Sequence, residues 1–191
     1  MIQRLVEIGL VAFIPLALLS ACSVETDRQL YVAGDEGMAR FSNHLTQTVY
    51  LGGCFPFVFE KLEGNHWDSR GAPVMCVWEG LAQPVAPGER VDTAFDAPGE
   101  PGTWRLSYPV GLQCDPGQPL GDSHCAFTSS VPGAPFSVLG ECQLPEGCGP
   151  LLGMPNWLCP DGSMGGPTDR CLESSDGAFC FWEIRDCPKD W

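Results

Sequence analysis

Thr103-Trp104-Arg105-Leu106-Ser107-Tyr108-Pro109-Val110 sets the fold class. Trp104, Leu106, Tyr108 and Val110 alternate with Thr103, Arg105, Ser107 and Pro109, the period of a strand with one face in a core and the other in water. Upstream, Phe57, Phe59 and Lys61 alternate with Val58, Glu60 and Leu62, a strand expected to be more deeply buried, and Thr48 to Leu51 is another β-rich piece. Such runs recur at intervals of roughly ten residues, the spacing of a β-sandwich. Pro-Gly pairs beginning at Pro87, Pro98, Pro101, Pro116 and Pro132 mark turns between them. With 23 Gly and 18 Pro in 191 residues, regular helices have little room, and an all-β chain is expected.

The first residues read differently. Arg4 gives a minimal basic flank, and Ile8 to Leu19 form an uncharged apolar run too short to span a bilayer. Leu19-Ser20-Ala21-Cys22 follows at once and resembles the bacterial lipobox, a Leu three residues before a cysteine with small residues between. The resemblance implies that residues 1–21 are a signal peptide removed on export. It also implies that the Cys22 sulfur carries a diacylglycerol and that the new amino group receives a palmitate-type acyl chain. Several chains together anchor stably where one is marginal. Residues 22–29 would then form a short lipid-anchored tether, polar from Ser23 to about Arg28. Ser23, rather than Asp, after the anchor favours the outer membrane, on its periplasmic or surface face, in a cell with two membranes.

Removal of the leader leaves about 170 residues, room for one ordinary domain and a small one. The chain carries 24 acidic and 10 basic residues, a net charge of -14, and the deficit is spread along its length. Phosphates would be repelled, which argues against nucleic acid as a partner. With Cys22 assigned to lipid, the other ten of 11 cysteines form an even set, which in an exported chain reads as five disulfides.

Residues 30–139 are expected to be the larger domain. Thr48-Val49-Tyr50-Leu51, Phe59 to Trp67, Val85-Ala86-Pro87-Gly88-Glu89 and Pro101 to Leu106 resemble the immunoglobulin-like domains of bacterial envelope proteins. That resemblance implies a fold and little about function, because such sandwiches host many roles. Similar domains have been grouped with proteinase-inhibitor-like families, although no inhibitory loop carries over residue by residue. Among Cys54, Cys76, Cys114 and Cys125, pairing of Cys54 with Cys76 and of Cys114 with Cys125 is favoured. The second bond would close a loop, Asp115 to His124, whose Pro-Gly and Gly-Asp turns suit a hairpin.

Residues 140–191 form a second, cysteine-rich module with Cys142, Cys148, Cys159, Cys171, Cys180 and Cys187, whose connectivity the spacing leaves open. So short a segment buries too little apolar surface to hold itself, and disulfides supply what the core cannot. Little regular secondary structure is expected there. The run from Cys148 to Cys171, with Cys180-Phe-Trp-Glu-Ile-Arg-Asp-Cys187, resembles a cysteine-rich module of bacterial secreted proteins and lipoproteins and imports no site. Its candidate contact surface is the apolar loop of Leu151, Leu152, Met154 and Trp157, held between Cys148 and Cys159, because a stapled loop loses little entropy on binding. The competing reading puts Leu152, Met154 and Trp157 in the module's own core, with Trp182 and Ile184.

No catalytic set assembles. Asp161-Gly162-Ser163-Met164-Gly165 lacks the first Gly of a nucleophile elbow, and His44, His66 and His124 are scattered. A zinc site from Cys142, Cys148, Cys159 and Cys171, or from His124 beside Cys125, lacks paired knuckles, and no C-x-x-C offers redox chemistry. Acidic loops such as Asp115 to Asp122 and Asp161 to Asp176 lack the ligand alternation of an EF-hand. The expectation is a lipid-anchored envelope protein, without enzymatic activity, cofactor or metal, that binds an envelope protein or cell-wall material or serves as a spacer. The alternative is a secreted protease inhibitor acting through a stapled loop.

Overall fold

The computed structural model describes residues 21–53, 55–71, 80–144, 147–150, 153, 155–174 and 178–187. Fourteen strands account for most of them. A three-stranded antiparallel sheet has the order β1 (Cys22–Thr26), β3 (Glu36–Asn43), β8 (Arg90–Asp96). The larger sheet is built on β9 (Gly102–Cys114), which contains the alternating Thr103–Val110 stretch. Trp104, Leu106, Tyr108 and Val110 are all buried, at 3% exposure or less. Ser107, on the face expected to be wet, is also buried and meets the Ser130 hydroxyl at 2.6 Å.

The length of β9 lets it serve two partners on each edge. On one edge β11 (Phe136–Glu141) pairs with its start and β10 (Cys125–Pro132) with its second half. On the other, β5 (Val58–Glu63) lies against Lys61↔Trp104 to Val58↔Ser107, and β4 (Val49–Leu51) against Val110 to Leu112. Strands β6 (His66–Ser69) and β7 (Gln83–Val85) extend that side through β5 and β4. The outer edge of β11 takes β2 (Leu30–Val32) in parallel.

Aromatic rings fill the space between the sheets. Phe41 of β3 stacks on Tyr108 of β9 at 5.5 Å, and Phe95 of β8 meets Phe59 of β5 at 5.9 Å. Phe57 touches both Phe95 and Tyr108 and is fully buried, as is Tyr108. Burying each such ring contributes on the order of 2 kcal/mol by area.

The segment after Cys22, expected to be a polar tether, is instead strand β1, in register from Cys22↔Asn43 to Thr26↔Ala39. Its sequence alternates Cys22 and Val24 inward with Ser23 and Glu25 outward, and Val24 is 5% exposed in the core. Two inward apolar side chains and a free edge on β3 are enough to recruit it.

The cysteine-rich region continues the larger sheet. β13 (Met164–Glu173) pairs with Gly140 and Glu141 of β11, so the expected domain boundary at residue 140 lies inside a strand. β14 (Cys180–Arg185) and the two-residue β12 (Trp157–Leu158) pair with β13, giving the module more regular structure than its composition suggests. Leu172 is fully buried with Val32, Leu139 and Phe181, and Arg170 reaches Asp35 at 3.1 Å, so hydrophobic and ionic contacts both tie the module to the sandwich. Ile184, expected in the module core, is 45% exposed, and Trp182 is half-buried. Leu172 and Phe181 occupy the core position because they, and not Ile184, face Val32 and Leu139.

Candidate functional site

Two places carry the residues singled out above, and they lie at opposite ends of the molecule. The first is Cys22. It opens β1 opposite Asn43, is 7% exposed, and its thiol lies 4.0 Å from the Asn43 Oδ1. Burial pushes the thiol pKa up, with a backbone hydrogen bond from the His44 region working the other way. Cys22 is the one free cysteine among the described residues. Asn43 holds this end together, since its amide nitrogen donates to the carbonyls of Gln47, Val85 and Ala86 and its Oδ1 accepts from Leu45 N–H. Beside it, Ser23 Oγ lies 3.2 Å from His44 Nε2 on the surface.

The disulfide Cys114–Cys125 lies at the same end, joining directly paired residues of β9 and β10. It sits over Gly111, where a Cβ would come within 2.5 Å of the Cys114 sulfur, which explains a glycine inside the longest strand. Cys54 and Cys76, and any bond between them, lie outside the described residues.

The second place is the module, with two of its disulfides beside the joint of β13 with β11 and its Trp157–Met164 hairpin at the tip. Its bonds are Cys142–Cys180, Cys148–Cys171 and Cys159–Cys187, so the six cysteines pair first with fifth, second with fourth and third with sixth. The sulfurs of Cys142, Cys171 and Cys180 lie within 4.8 Å of one another because two of these bonds stack side by side. Sulfur held in a disulfide carries no thiolate charge, so this cluster is not a ligand set.

Of the expected contact loop, Leu151, Leu152 and Met154 lie outside the described residues, and Trp157 is 40% exposed. Trp157 opens β12, where Leu158 pairs with Met164 of β13, and these two are 72% and 54% exposed. Sequence reasoning missed Leu158 and Met164 because one follows the loop and the other sits in a Gly-rich stretch. The signal available was Met164-Gly165-Gly166 itself. A Cβ on Gly165 would stand 2.2 Å from Trp157 Nε1, and one on Gly166 would strike Asn156, so both glycines exist to let β12 lie down on β13. A shallow cleft of about 290 Å³ runs beside this hairpin past Thr168, Arg170 and Arg185. Arg170 is held by Asp35 and, at 3.8 Å, by Glu183.

The remaining candidates resolve into local structure. Ser163 donates its hydroxyl and its N–H to Asp161 Oδ1, at 2.7 and 3.0 Å, closing a turn. These bonds hold the Asp161 carboxyl below its usual pKa. His66 pairs with Asp68 at 3.1 Å, and His44 with the Ser23 hydroxyl. A larger cleft of about 530 Å³ is acidic, with Asp27, Glu36 and Asp96, but Asp27 already accepts from the Tyr31 hydroxyl and Met38 N–H. No helix among the described residues is long and apolar enough to cross a membrane. No family model, curated protein or solved structure matches the chain.

Proposed function

We propose that this chain is an exported, lipid-anchored envelope protein whose role is binding rather than catalysis. The observation that carries the reading is Leu19-Ser20-Ala21-Cys22 directly behind an uncharged apolar run. The disulfides of the mature region support export, since such bonds persist in oxidising compartments. Cys22 would carry the lipid, and Ser23 after it favours the outer membrane in a two-membrane cell. For the body we favour an immunoglobulin-like sandwich. Support comes from the β1-β3-β8 sheet facing the β9-centred sheet, and from β2 running parallel to β11 at its edge.

The exposed Trp157, Leu158 and Met164 are the surface we assign to a partner, an envelope protein or cell-wall material. The same stapled hairpin also suits a protease inhibitor. Stoichiometric inhibition of a protease by the full chain, abolished by Leu158→Asp, would favour that alternative over a structural partner. The anchoring claim has its own test. The Cys22→Ala protein should accumulate unprocessed and leave the lipoprotein pool of the membrane, and a mature, membrane-bound Cys22→Ala protein would refute it.

A further inference from the structure

The fold fixes which way the module points. Cys22 pairs with Asn43, and β3 runs from that end to Glu36, seven residues or about 23 Å away at roughly 3.3 Å per residue. β2 and β11 run in parallel toward the Glu36 end, because Ala97 N–H, just past β8, donates to Asp35 and Ala33 N–H to Leu139. β13 joins β11 antiparallel at Leu172↔Glu141, so its earlier residues lead further from the sandwich. Met164, eight residues before Leu172, lies up to about 26 Å beyond that joint. The Cys114–Cys125 loop is at the other end, because Leu112 pairs with Val49 and Val49 with Val85, whose carbonyl is bonded by Asn43.

We propose that the anchored protein stands on the membrane by its Cys22 end, with the turn at His44 and the loop from Asp115 to His124 facing the bilayer, and holds the Trp157–Leu158–Met164 hairpin at the membrane-distal tip. This rests on the reading of Cys22 as the lipid-bearing residue. The reason for a fixed stance is the absence of slack: pairing of β1 begins at Cys22 itself, and Ser23↔Ser42, Val24↔Phe41 and Glu25↔Arg40 follow without a break. A sulfur buried against Asn43 has no room for a diacylglycerol, so the lipidated Cys22 swings out while pairing from Ser23 onward stays, leaving a link of a single residue. The surface at the tip therefore meets partners across the envelope and not the lipid that holds the protein.

Hydroxyl-radical footprinting reads both ends at once. The mature lipidated protein in phosphatidylcholine vesicles is compared with soluble Cys22→Ala protein lacking residues 1–21. Oxidation of His44, Leu120 and His124 is expected to fall severalfold on the vesicles, with Trp157, Leu158 and Met164 unchanged. Protection of the tip residues, or no protection at either end, would overturn the stance. Intact mass of the vesicle sample separates the two failures, because a protein without lipid on Cys22 overturns the anchoring reading and this orientation with it.

Discussion

Asn43 is fully buried, and its side chain ties three carbonyls and one N–H from two separate turns into one end of the sandwich. Asn43→Ala would leave the Val85 carbonyl and its neighbours desolvated without a donor, at about 1–3 kcal/mol for each buried group. The expected loss of stability is about 3 kcal/mol, measured by urea unfolding of the soluble protein with disulfides intact. His44→Ala next door, on an exposed residue, should stay within about 0.5 kcal/mol. Nothing in the sequence around Asn43 announces this role, because Val85 and Ala86 lie more than forty positions away and only the folded chain brings them near. Gly165 and Gly166 are a visible pair in the sequence, but what they make room for shows only with Trp157 and Asn156 laid across them.

Among the elements, β9 was readable and β1 was not. Trp104 to Val110 gave an unbroken alternation, with large side chains inward and a strand long enough for period two to dominate. β1 has only Cys22 and Val24 to mark its inner face, and polar residues on both sides made the same segment read as linker. The Cys114–Cys125 bond was legible for a local reason, a short loop with turn residues closing back on a strand. The three bonds of the module were not, because first-with-fifth, second-with-fourth and third-with-sixth pairing depends on how β13 and β14 fold over β12. Replacing Cys114 and Cys125 together by Ala frees a loop spanning 11 positions and should cost about 3 kcal/mol by the chain-entropy argument. Thermal unfolding of the double variant reads this. An unchanged midpoint would mean that the hairpin hydrogen bonds already restrict the unfolded chain.

At the scale of the whole molecule, sandwich and module share a sheet. The Leu139–Leu172 contact and the Arg170–Asp35 pair cross what composition alone presents as a domain boundary. Cys content rises sharply after residue 140, and that change records the need for covalent support where the sheet extends past β11 rather than a separate body. The proposed stance, with the assigned contact surface at the membrane-distal end, follows only from adding the resemblance of Leu19–Cys22 to a lipobox, which is sequence, to the strand directions, which are structure. The most direct test of the account is the intact mass of the protein extracted from membranes, before and after alkylation without reduction. The account predicts a chain beginning at Cys22 with added diacylglycerol and acyl mass, and no alkylated thiol among its other ten cysteines. A chain that retains residues 1–21, or a Cys22 that takes up the alkylating agent as a free thiol, would contradict it.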